Sequence, residues 1–71
     1  MPEMHFVDSS NIEAIGYDAE NRELHVRFLK SGLTYVYQEV DESVFEEFLR
    51  ADSKGSYLNR RIKKAYQYRQ L

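Results

Sequence analysis

The chain has no cysteine in its 71 residues. Disulfide staples, thiolate zinc sites and cysteine nucleophiles are therefore excluded, and the fold must rest on apolar burial alone. At this length folding buries only about 60% of the surface that the unfolded chain exposes, so the stability margin is small. Long apolar runs are also missing. No stretch approaches the ~20 residues that span a bilayer, and the opening Met1-Pro2-Glu3-Met4-His5 shows neither the basic segment nor the apolar stretch of a signal peptide. The expectation is a single cytoplasmic domain over residues 7–68 behind a polar lead-in over 1–6, with no membrane partner.

Catalytic and metal-binding patterns are equally scarce. His5 and His25 are the only histidines. Their separation gives no ligand spacing, so both read as ordinary surface residues and no metal is expected. Ser9 and Ser10 sit in the turn-forming run Asp8-Ser9-Ser10-Asn11 and lack the surroundings of a nucleophile elbow. Glu42, Glu46 and Glu47 read as the wet side of a helix, with Glu46 and Arg50 at i, i+4 spacing. The expectation is a protein that is not an enzyme, with no catalytic residue and no cofactor.

Acid is absent from the last quarter of the chain. Residues 1–52 hold all 12 acids and four bases (Arg22, Arg27, Lys30, Arg50), a balance of −8. Residues 53–71 hold six bases (Lys54, Arg60, Arg61, Lys63, Lys64, Arg69) and no acid, a balance of +6. The net −2 conceals this split. A net acidic chain is no general polycation for DNA or membranes, yet over a Debye length of roughly 8 Å a local basic surface acts on a nearby phosphate by itself.

The residues that are present alternate first and then change period. Ile12–Tyr17 reads as a first strand, with Gly16 marking a bulge or a close backbone approach. In Glu23–Lys30, Leu24, Val26 and Phe28 alternate with His25 and Arg27, the pattern of a strand with one buried side. Ser31-Gly32 is a two-residue hairpin connection, and Leu33–Gln38 is a third strand. Asp41 caps a first helix, with Val40 and Phe45 as a hydrophobic staple and Val44, Phe45, Phe48, Leu49 and Ala51 as its apolar stripe. Ser53 or Ser56 caps a second helix running to about Tyr68, with Leu58, Ile62, Ala65 and Tyr66 as its stripe. The fold class is α+β: a three-stranded antiparallel meander followed by two helices on one sheet face, the other face open to water.

On that second helix Tyr57, Arg61, Lys64 and Tyr68 follow i, i+4, i+7, i+11 and form one line, flanked by Arg60 and Lys63. Ser53-Lys54-Gly55-Ser56 stands at its start, where free amides can donate to a phosphate. Cations interleaved with rings suit single-stranded nucleic acid. The same charges also serve as a solvated face that complements the helix dipole. Tyr35 and Tyr37 share one side of the third strand. They are either a stacking platform beside His25 and Arg27 or core rings, and Leu33 in their row favours the core.

The ordered set Val7-Asp8-Ser9-Ser10-Asn11-Ile12, Ile15-Gly16-Tyr17-Asp18, Leu24-His25-Val26-Arg27-Phe28, Tyr35-Val36-Tyr37 and Ser53-Lys54-Gly55-Ser56-Tyr57-Leu58-Asn59, followed by Ile62 and Tyr66, resembles the KTSC domain over about residues 7–66. That family takes its name from a domain at the C-terminus of some lysyl-tRNA synthetases and also occurs as free-standing bacterial proteins. Leu58 departs from the aromatic associated with its position. The resemblance implies RNA binding and no catalytic residues. Two functions are expected in order. The first is weak, low-specificity binding of RNA (tRNA or single-stranded) through Lys54, Arg60, Arg61, Lys63 and Lys64, with Tyr57, Tyr68, Tyr35 and Tyr37 stacking on bases. The second is a protein–protein contact or small homodimer using the sheet aromatics and the charge split.

Overall fold

The computed structural model describes residues 2–71. It is α+β, with five antiparallel strands in the order of the chain: β1 (His5–Phe6), β2 (Ile12–Asp18), β3 (Glu23–Phe28), β4 (Thr34–Tyr37) and β5 (Tyr68–Gln70). Helix α1 (Glu42–Arg50) and helix α2 (Lys54–Tyr57) lie between β4 and β5. α2 runs directly into a π-helical turn over Leu58–Ile62. The meander read from the sequence is the centre of this sheet. An edge strand is added on each side, β1 from the lead-in and β5 from Tyr68, where the second helix was expected to end, and the residues after it.

Register assigns the faces. Leu24 pairs with Tyr37 and Val26 with Tyr35 across β3 and β4, and Ile15 pairs with Val26 across β2 and β3. Directly opposed residues share a face, so these side chains form one layer. Ile12, Ile15, Leu24, Val26, Tyr37, Val40, Phe48, Tyr57, Leu58 and Ile62 make the buried core between sheet and helices. Of the α1 stripe, Phe48 is fully buried while Leu49 remains exposed.

The opposite face is covered rather than open. Ala14, His25, Thr34 and Val36 lie on it and are buried. Gly16 explains part of the cover: a Cβ there would stand 2.6 Å from the Glu3 carbonyl oxygen and 2.8 Å from the Met4 sulfur. The segment leading into β1 thus lies against the sheet where Gly16 leaves room. Arg27 pairs with Glu13 at 3.1 Å, and Arg69 with Glu23 at 2.9 Å, beside it. Residues that alternate polar and apolar, such as His25 and Arg27, look solvated on sequence; here the short β1 approach shields His25.

Local chemistry fixes the ends. Ser9 Oγ accepts the Ile12 amide and donates to Asn11 Oδ1, closing the turn before β2. The β3–β4 connection is longer than Ser31-Gly32: the Phe28 amide bonds the Leu33 carbonyl, and Gly32 takes a φ of +71°. Glycine has no Cβ to penalise that left-handed conformation. Asp41 precedes α1 but makes no side-chain cap; its carboxylate holds the Arg22 guanidinium instead. Ser53 does cap α2, accepting the Ser56 amide at 3.2 Å. Val40 is held at both backbone groups, its amide bonding the Arg22 carbonyl and its own carbonyl accepting the Tyr17 hydroxyl.

Candidate nucleic-acid interface

The chain after Ile62 leaves the helix. Lys63–Tyr66 forms a turn with hydrogen bonds back to Leu58 and Ile62, and Tyr68 begins a strand. Tyr57, Arg61, Lys64 and Tyr68 therefore do not form one line. Within the π-helical turn the Lys63 amide reaches back five residues to the Leu58 carbonyl, at 2.9 Å. That wider repeat brings residues five apart, such as Tyr57 and Ile62, nearer to one side, and both face the core.

Tyr57 is sealed. It is 7% exposed and stacks on Phe48 with centroids 5.2 Å apart. Its hydroxyl donates to Glu47 at 2.7 Å. Burial, and then the Glu47 carboxylate, push its phenol above the ordinary value. A ring held this way has no free face for a base, which corrects its assignment as a stacking residue. Tyr37 is also a core ring, 1% exposed, with its phenol pushed up to about 12 by burial. Of the two readings of Tyr35 and Tyr37, the core-facing one holds.

An aromatic ledge remains at the β4–β5 side of the sheet. Phe28 meets Tyr35 edge-on at 5.3 Å. Tyr35, half-buried, stacks on Tyr68 with centroids 5.0 Å apart and planes within 9°. Tyr68 also tilts against Tyr37 at 5.6 Å and is 55% exposed. The sequence carried a sign of this strand, because Tyr66-Gln67-Tyr68-Arg69 alternates aromatic and polar residues with a period of two.

The basic residues divide among several surroundings. Lys54 Nζ donates to the Ala51 carbonyl, closing the α1–α2 joint. Arg61 lies 3.8 Å from Glu47, an exposed pair of the kind that contributes about 0–1 kcal/mol. Arg69 donates to both Glu23 carboxylate oxygens on the face away from the helices. Arg60 lines a groove between α1 and α2 with Arg50, Ser53, Ser56, Tyr57 and Asp52. Lys63 and Lys64 are exposed and, among the described residues, carry no ion pair. They stand in the turn that delivers the chain to Tyr68.

Sequence reasoning missed the environment of His25. The ring is 5% exposed, and among the described residues neither nitrogen has a hydrogen-bond partner. Burial lowers its pKa against the opposing pull of Glu23 and Asp18. No group of three or more metal-ligating side chains gathers among the described residues, and no described helix is long and apolar enough to cross a membrane.

The class of domain is α+β, a small antiparallel sheet with two helices inserted before its last strand. A sequence model of the KTSC domain matches residues 8–66. The chain belongs to the KTSC domain family. A crystal structure of a KTSC domain protein from Yersinia pestis superposes with a TM-score of 0.94 at 37% identity, covering 100% of this chain and 99% of that one. A protein of Tsukamurella paurometabola is 46% identical over 57 residues, 80% of this chain and 84% of its own length. An uncharacterized protein of Stutzerimonas stutzeri is 39% identical over 57 residues, 80% of this chain and 79% of its own.

Proposed function

We propose that the domain is a non-catalytic, cytoplasmic binder of single-stranded RNA, with Tyr68 as the exposed stacking ring, Tyr35 as its support, and Lys63 and Lys64 as the cations that follow the phosphates. The observation that carries this reading is the parallel Tyr35–Tyr68 stack, with one ring more than half exposed, reached through a turn whose Lys63 and Lys64 are exposed and carry no ion pair among the described residues. A base laid on Tyr68 extends an existing stack, and base–aromatic stacking is worth ~1–3 kcal/mol per base. Because every base has a π face, sequence preference is small. Arg60, in the α1–α2 groove, supplies the third phosphate contact in this reading, whereas Tyr57 and Tyr37 serve the core.

The test is a titration of fluorescein-labelled single-stranded RNA, with a tRNA for comparison, at two salt concentrations. Three phosphate contacts predict a slope of log K against log salt near −2, from about −0.7 per contact on single strands. Lys63→Glu/Lys64→Glu and Tyr68→Ala each weaken binding several-fold, while Tyr68→Phe restores it. Equal binding by all these variants removes the proposal.

A further inference from the structure

The outer edge of β5 lies at the same corner as Tyr68 and shares Lys63 and Lys64 with the RNA reading, but its backbone groups are not used by that reading. Among the described residues β5 is the last strand of the sheet and pairs only with β4. The Leu71 amide bonds the Thr34 carbonyl at 2.9 Å, and the Gln38 amide bonds the Gln67 carbonyl at 2.8 Å. In an antiparallel ladder, bonded pairs alternate with non-bonded ones. Gln67, Arg69 and Leu71 thus turn their backbone groups toward β4, while Tyr68 and Gln70 turn theirs outward. Residues 67–71 are all exposed, so these donors and acceptors form an open row of the kind that recruits another strand.

The charge around this edge selects the occupant. Lys63 and Lys64 lead into the strand without an ion pair among the described residues, and Arg69 within it is held by Glu23 on the face away from the helices. A second copy added symmetrically about Arg69 would oppose two arginines in a close non-bonded pair, and like charges directly opposite destabilise a sheet. We infer that β5 accepts an extended acidic peptide segment of another protein by strand addition, with its backbone bonded to Tyr68 and Gln70 and its carboxylates toward Lys63 and Lys64.

The probe is an acetylated, amidated hexapeptide of alternating Glu and Val. Comparison peptides carry Lys in place of Glu, or N-methyl groups at alternate residues. Amide hydrogen exchange is read by NMR on the full chain. The acidic peptide at millimolar concentration is expected to slow exchange of the Tyr68 and Gln70 amides at least tenfold and to leave Arg69, already bonded, unchanged. N-methylation removes the effect, and the lysine peptide needs at least tenfold more material. Gln70→Pro deletes an outward donor without touching a bond to β4 and abolishes protection while leaving RNA affinity as it was. Several results overturn the inference: no protection by the acidic peptide, equal protection by the lysine peptide, or concentration-dependent protection by the chain alone, which would make the occupant a second copy. Protection of the same amides by RNA and not by peptide also overturns it. Loss of RNA binding with peptide protection intact would remove only the stacking proposal.

Discussion

Tyr35 and Tyr68 lie face to face across the last strand pair, centroids 5.0 Å apart and planes 9° from parallel. The contact joins residues 33 positions apart in sequence and depends on the chain leaving the helix after Ile62. It ties β5 to the aromatic row and holds out the one tyrosine ring of that row that is more than half exposed. An aromatic pair contributes about 0.5–1.5 kcal/mol beyond its buried area. Tyr68→Ala is therefore expected to lower stability by about 1 kcal/mol, and Tyr68→Phe by much less. Urea denaturation of the three proteins measures both.

Tyr57 separates the arrangement seen here from the helical line read in the sequence. Its hydroxyl serves Glu47, not a ligand. Tyr57→Phe removes that bond at a cost of roughly 1 kcal/mol and leaves RNA affinity unchanged. A drop in affinity without a drop in stability would return Tyr57 to the binding surface. Denaturation and RNA titration on the same variant decide between them.

Gly16 is the position where the start of the chain meets the sheet. A Cβ there meets the Glu3 backbone at 2.6 Å and the Met4 sulfur at 2.8 Å. The backbone cannot yield as a flexible side chain does, so Gly16→Ala is expected to detach β1. Amide exchange at Val7, whose N–H bonds the Glu13 carbonyl in the wild type, should accelerate toward the unfolded rate. Exchange within β3 and β4 should change far less.

His25 gives stability a pH dependence of definite sign. Its folded pKa lies below the ordinary value of 6.5, chiefly because burial disfavours the cation. Above about pH 6.5 the ring is neutral in both folded and unfolded states and contributes no slope. As pH falls from there toward the folded pKa, the unfolded chain takes the proton first, so stability declines; below the folded pKa the loss is complete. Denaturation midpoints are expected to fall from pH 7.5 to 5.5, and His25→Leu should flatten that part of the profile. A wild-type midpoint that rises on acidification would contradict the buried neutral imidazole.

The central strands were legible because Leu24, Val26 and Phe28 alternate with His25 and Arg27, and because Tyr35, Val36 and Tyr37 repeat that period. The start of α2 was legible to within Ser53 or Ser56, and Ser53 makes the cap, whereas the cap expected of Asp41 is lost to its pairing with Arg22. β1 and β5 were not, because two or three residues of mixed polarity carry too little pattern to outweigh their neighbours. Tyr68 was drawn into the helix by spacing alone, although residues 66–69 already alternate with a period of two. Tyr57 fell on the wrong side because an α-helical period was extended through a segment that turns with a π repeat. His25 looked solvated because nothing in its neighbourhood announces that Glu3 and Met4 come across Gly16, next to it in the sheet.

The stacking corner is tested most directly by mapping amide and tyrosine ring shifts of isotope-labelled protein during titration with single-stranded RNA at low and high salt. The expected result is a contiguous set of shifts at Tyr35, Lys63, Lys64 and Tyr68 that weakens as salt rises, with the Tyr57 and Tyr37 rings unmoved. Shifts confined to Arg50, Ser53, Ser56 and Arg60, or none at low salt, would contradict it.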